Sequence, residues 1–176
     1  MKSIRTSLAT KLAVSSTRRT RKVINFNDVI KSSETAVFLL PRTSAEFFLA
    51  RPVVESLMRY FRRLALLVTE NMRDLAAYRT EVIAVSRADE NWLRLPSHDL
   101  ISRLRHEKYD IAFDLIVSDD IFMSYLCRKS EAKICAGFSK TYGDHFYDLQ
   151  IMLPGSGDMK KAYDIMINTI KMFKEK

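Results

Sequence analysis

The chain has 176 residues, 47% of them hydrophobic and 28% charged, which suits one ordinary core and is too short for two full-sized domains. Four glycines and four prolines exclude a fibrous, disordered or disulfide-stapled class, so regular elements must occupy most of the length. The net charge of +8 is uneven: residues 1–35 hold eight Lys/Arg against Asp28 and Glu34, leaving the body close to neutral.

That first stretch, residues 1–35, is expected to be a basic arm, partly helical, ahead of the domain proper. Ile4, Leu8 and Leu12 fall at i, i+4 and i+8 with Lys2, Arg5 and Lys11 beside them, the pattern of a basic amphipathic helix. Two readings stay open. Residues 1–22 attach to an anionic surface such as a membrane leaflet, or the arm packs on the domain or a partner and keeps its charges in water. No aromatic residue precedes Phe26, so the stacking platforms of a single-strand binder are missing and nucleic acid is not an expected partner.

Residues 36–40 (AVFLL) are continuously apolar, as in a strand buried on both faces. A polar turn leads to a helix expected over 45–62, with Phe48, Val53, Leu57, Met58 and Phe61 inward and Pro52 tolerated near its start or at a kink. Residues 64–69 predict a second strand, 72–78 a short helix and 81–86 a third strand. Ser97 is a good cap for a helix to Arg105, with Asp99 in its first turn and Arg103 and Arg105 near its last. Residues 110–117 (DIAFDLIV) follow as a strand, then a helix over 120–129 capped by Ser118 or Asp119. Strands over 132–138 and 147–153 and a helix over 159–173 complete the chain.

Such alternation predicts an α/β fold: a doubly wound, mainly parallel sheet of about six strands in one Rossmann-like domain over 36–176. Ligands of such sheets bind beyond the carboxyl ends of the strands, which directs attention to the loops 41–46, 86–91, 118–120 and 138–144. No GxGxxG follows the first strand, and neither a GxxxxGK[ST] loop nor a GxSxG elbow occurs, which argues against standard dinucleotide, P-loop and α/β-hydrolase chemistry. Cys127 and Cys135 lack metal-site spacing and read as reduced interior thiols. His98, His106 and His145 likewise lack ligand spacing, so neither a metal nor a cofactor is expected. Without a long apolar run or signal-peptide core, the expected location is cytoplasmic, membrane-peripheral if the arm binds lipid.

Three stretches carry a family resemblance. AVFLLPRTSAEFFLARPVVESLMR (36–59), EKYDIAFDL (107–115) and SYLCRKSEAKICAGF (124–138) resemble the N-terminal, acceptor-side domain of heptosyltransferase-like GT-B glycosyltransferases of family 9 type. The likeness spans about residues 36–173 and leaves nothing to correspond to the C-terminal donor domain. Ala45 and Glu46 stand where that family has a Gly-Asp pair. The resemblance therefore implies a catalytic base at Glu46, acting on an acceptor hydroxyl, and a link to lipopolysaccharide biosynthesis. An ordinary first-turn acid favouring the helix dipole is the other reading of Glu46.

Arg42, Ser44 and Arg51 bracket the same loop and could hold a phosphate or an acidic sugar, or be solvated loop residues. Asp119 with Asp120 is either a paired-carboxylate site or a helix cap, and Tyr142 and Trp92 either stack on a sugar or cover the edge of the core. Two functions are expected from this set. One is a non-catalytic binding or assembly module that takes an acidic sugar or nucleotide-sugar, or pairs with a copy of itself or a partner chain. The other is a glycosyltransferase component whose donor site comes from a second chain.

Overall fold

A computed structural model describes residues 4–17, 24–76, 80–153, 155 and 157–175. Two helices come first, α1 (Ile4–Ser15) and α2 (Phe26–Ser32), followed by β1 (Thr35–Leu39), α3 (Ser44–Leu57), β2 (Arg63–Thr69) and β3 (Glu81–Val85). The second half runs α4 (His98–Glu107), β4 (Ile111–Asp114), α5 (Ile121–Lys129), β5 (Ile134–Phe138), α6 (Gly143–Phe146), β6 (Leu149–Ile151) and α7 (Met159–Lys174). The six strands form one sheet in the order β3-β2-β1-β4-β5-β6 with every neighbouring pair parallel. This is the strand order of a dinucleotide-fold sheet, and the order reverses between β1 and β4.

Alternation along each strand sorts side chains into two cores. Ala36, Phe38, Ile111, Phe113, Ile134, Ala136 and Phe138 point to the face covered by α2, α3 and α7. Val37, Leu39, Ala112 and Cys135 point to the other, where α4, α5 and α6 pack and α1 rests on α5. On the first face the Phe38 and Phe113 rings meet edge to face at 4.9 Å, joining the two strands that flank the reversal.

Several elements depart from expectation. The helix expected over 45–62 ends at Leu57, and Met58–Tyr60 is a 3-10 turn. Its buried face is Phe47, Ala50, Val53, Val54 and Leu57, whereas Phe48 is 52% exposed. Counting from 47 in steps of three and four leaves 48 on the rim, and two adjacent phenylalanines hide that register in the sequence. The short helix expected at 72–78 is replaced by two 3-10 turns, Glu70–Met72 and Asp74–Ala76, with residues 77–79 outside the described set. The sixth strand, expected over 147–153, is three residues long, Leu149–Ile151, and follows α6.

Within the first 35 residues, α2 sends Ile30 into the main core and α1 lies on the body through Ala9 and Ala13. The apolar stripe Ile4, Leu8, Leu12 is thus turned outward, since small residues rather than large ones permit the close approach to α5. Lys2, Arg18, Arg19, Arg21 and Lys22 lie outside the described residues.

Candidate functional site

A carboxylate sits at the carboxyl end of β4 where the strand order reverses. Asp114 is fully buried, pairs with Leu39 of β1 and Gly137 of β5, and so needs partners inside the protein. Lys140, whose side chain is 4% exposed, places its ammonium 2.9 Å from Asp114 Oδ2. The Tyr147 hydroxyl and the Ser124 hydroxyl, the latter at 3.2 Å, donate to the same oxygen, and the Ile116 N–H donates to Oδ1 at 3.0 Å. Lys140 also lies 3.1 Å from the Tyr147 oxygen, which is 2.6 Å from that of Ser124. Gly137 makes room for this cluster, because a Cβ there would come within 2.7 Å of the Tyr147 ring. Burial first, then the Asp114 charge, pushes the Tyr147 phenol well above its ordinary range, so it stays a protonated donor.

Above this buried cluster, ion pairs tie the loops of the crevice together. Arg42, just after β1, pairs with Asp120 at 2.8 Å and Glu90 at 3.6 Å and lies 4.6 Å over the Phe122 ring. One guanidinium thus links the loops after β1, β3 and β4. Asp119 links the fourth loop by accepting from the Thr141 N–H at 3.3 Å and the Thr141 hydroxyl at 2.8 Å. Asp120 also caps α5 by accepting from the Met123 N–H, so neither Ser118 nor Asp119 is the cap.

The start of α3 is similarly occupied. Thr43 is its cap: the Glu46 N–H donates to Thr43 Oγ1 at 3.3 Å, and that hydroxyl lies 3.0 Å from Glu46 Oε2 and donates to it. Glu46 is half-buried at the crevice rim, and its charge adds to burial in raising the Tyr163 phenol, which donates to the Leu115 carbonyl at 2.8 Å. Ser44 contacts the Met72 sulfur at 3.8 Å, and Arg51 turns to Glu55 one helical turn on, at 2.6 Å. Tyr142 is exposed at the edge of α6, and Trp92 is exposed in the loop after β3. Arg42 and Asp119 therefore each tie crevice loops together, Arg42 through Asp120 and Glu90 and Asp119 through Thr141, while Ser44, Glu46, Arg51 and Tyr142 take no part in these ties.

The buried cluster has no sequence motif. Asp114 stands inside an apolar strand run, and an aspartate in such a run signals a buried partner. Lys140, Tyr147 and Ser124 lie in three other segments, and only the fold brings them to it. Cys127 and Cys135 are buried free thiols beneath it, as expected. Among the described residues no group of histidine, cysteine and carboxylate side chains could hold a metal ion, and no helix is long and apolar enough to cross a membrane.

No family model matches the sequence, and a search of curated proteins finds no match. Solved structures do match the chain. A family 9 glycosyl transferase from Veillonella parvula superposes with a TM-score of 0.57 at 21% identity, covering 82% of this chain and 42% of that one. The ADP-heptose lipopolysaccharide heptosyltransferase II of E. coli gives 0.59 at 12% identity, covering 76% and 40%. E. coli heptosyltransferase WaaC with ADP gives 0.59 at 13%, covering 77% and 46%. The chain spans less than half the length of each, and its fold is that of part of a heptosyltransferase-like glycosyltransferase.

Proposed function

We propose that this chain is a glycosyltransferase-like acceptor-side domain that acts as a non-catalytic binding or assembly module. The observation that carries the reading is the occupation of its crevice groups by one another. Glu46, at the place of the sugar-activating base, has a carboxylate oxygen engaged by the Thr43 cap, and Arg42 is neutralised by Asp120 and Glu90. A base that serves a helix cap and a cation that serves three loops hold the scaffold rather than a reacting substrate. Phe48 and Leu49, exposed on the first turns of α3 at the same rim, give that face an apolar contact surface for a partner.

Calorimetric titration of the full chain with ADP-sugars and UDP-sugars at millimolar concentration tests this. No heat is expected, and saturable binding by the chain alone overturns the module reading. If instead a second chain supplies the donor site, glycosyl transfer appears only on mixing the two and falls by roughly a hundredfold or more in Glu46→Gln, as for loss of a general base. Unchanged activity of that variant in the mixture leaves the carboxylate to its capping role.

A further inference from the structure

Beside the crevice, on the β3 side, lies a second cavity of about 430 Å³ lined by Arg5, Arg87, Glu90, Asn91 and Arg94. Three guanidinium groups converge on it, and among the described residues none of the three makes an ion pair. Glu90, the carboxylate in the lining, is turned to Arg42 at 3.6 Å. The cavity is therefore cationic and open, and its arginines suit the tetrahedral oxygens of a phosphate.

The loop that presents two of these arginines is rigid. Asn91 Oδ1 accepts the N–H groups of Leu93 at 2.9 Å and Leu95 at 3.1 Å, and Leu93 and Leu95 are buried as anchors. Arg94 is held at φ 59 in the left-handed region, its N–H donating to the Asn91 carbonyl at 2.9 Å. At the base of the loop, Ser86 and Asp89 form a capping box that Arg103 braces. With 93 and 95 inward, Trp92 and Arg94 are left outward, and Trp92 is 69% exposed. Arg5 of α1 donates to the Trp92 carbonyl, which brings the helix beside this loop.

Arg5 also borders the outward stripe of α1. At 100° per residue it stands next to Leu12 on the helix circumference, and Lys11 stands on the other flank, beside Ile4. Ile4 is 90% exposed, and Leu8 and Leu12 are exposed beside it. One end of the molecule thus carries three arginines without an ion pair among the described residues, an exposed indole and an exposed aliphatic stripe, in a chain whose first 35 residues hold most of its net positive charge. A soluble phosphate would account for the cavity but not for the apolar groups around it. A phospholipid surface accounts for both, with headgroup phosphate among the arginines and the tryptophan and aliphatic side chains at the acyl boundary.

We propose that α1 and the 86–97 loop form a docking surface for an anionic lipid bilayer, with Arg5, Arg87 and Arg94 taking a headgroup phosphate. The test is partition of the full chain onto vesicles of equal parts phosphatidylglycerol and phosphatidylcholine, read by co-sedimentation and by the emission of Trp92, the sole tryptophan. Expected are binding with a blue shift, loss of both on pure phosphatidylcholine, and a fall in partition of roughly tenfold or more in Arg87→Ala/Arg94→Ala. Trp92→Ser, on an exposed residue, weakens partition while circular dichroism stays unchanged. Equal binding to neutral vesicles, binding without a Trp92 shift, or an unaffected double variant overturns the proposal. So does inorganic phosphate binding to the chain with no vesicle association, which assigns the arginines to a soluble anion, or absence of binding to either.

Discussion

At the residue scale the greatest exposure to mutation is at Asp114. Its carboxylate and the Lys140 ammonium are both withdrawn from water, so each depends on the other and on the Tyr147 and Ser124 hydroxyls. Asp114→Ala leaves an ammonium without its counter-charge in the interior, and we expect a loss of about 3–5 kcal/mol by urea denaturation. Asp114→Leu/Lys140→Met removes both charges and should recover most of that loss, whereas an additive double variant shows that the pair is not coupled. Asp110, at the amino end of β4, provides a pH signature. Burial alone would raise its carboxyl, yet donation from Lys133 and from the Glu34 and Thr35 N–H groups outweighs this and holds it at about 2. A folded value below the unfolded one, about 3.9, stabilises at pH above the unfolded value and ceases to do so as pH falls through the folded one. Stability should therefore drop between about pH 4 and pH 2, with a smaller drop in Asp110→Asn; equal pH slopes in both proteins exclude this source.

At the element scale, strand interiors were legible because AVFLL and LALLVT are buried on both faces and show it as unbroken apolar runs. Caps were legible where one residue serves, as at Ser97, and not where neighbours compete, as at Asp119 and Asp120. The amphipathic stripe of α1 does not mark the face that packs on the body, because Ala9 and Ala13, which carry little hydrophobic signal, make that contact. Site residues were the least legible, since Asp114, Ser124, Lys140 and Tyr147 have no common spacing and acquire meaning only from the sheet order. The two N-terminal helices should respond differently to substitution. Ile30 of α2 is fully enclosed by the main core, so Ile30→Ala should cost about 2–4 kcal/mol in chemical denaturation. Leu8→Ser on the outer side of α1 should stay within about 0.5 kcal/mol of the parent. A large loss at Leu8 places that side chain against protein rather than water.

At the scale of the whole molecule, the alternation of strands and helices made a parallel sheet legible but not the return of β4 to the far side of β1. That step is decided by a connection carrying α4 across to the opposite face from α3, which local patterns do not encode. Its consequence is a molecule with a centre and a margin. β1 and β4 are hydrogen-bonded on both edges and covered on both faces, whereas among the described residues β3 and β6 are each paired on one edge only, and α1 rests on the body through Ala9, Ala13 and Val14 and the Arg5 hydrogen bond to the Trp92 carbonyl. Opening α1 uncovers a small apolar area, while freeing an amide of β1 requires both neighbouring strands to separate and both cores to open. Hydrogen exchange should accordingly show Val37, Leu39 and Ala112 exchanging only with global unfolding, β3 and β6 exchanging sooner, and α1 first. Protection of α1 equal to that of β1 would mean that the helix belongs to the cooperative core.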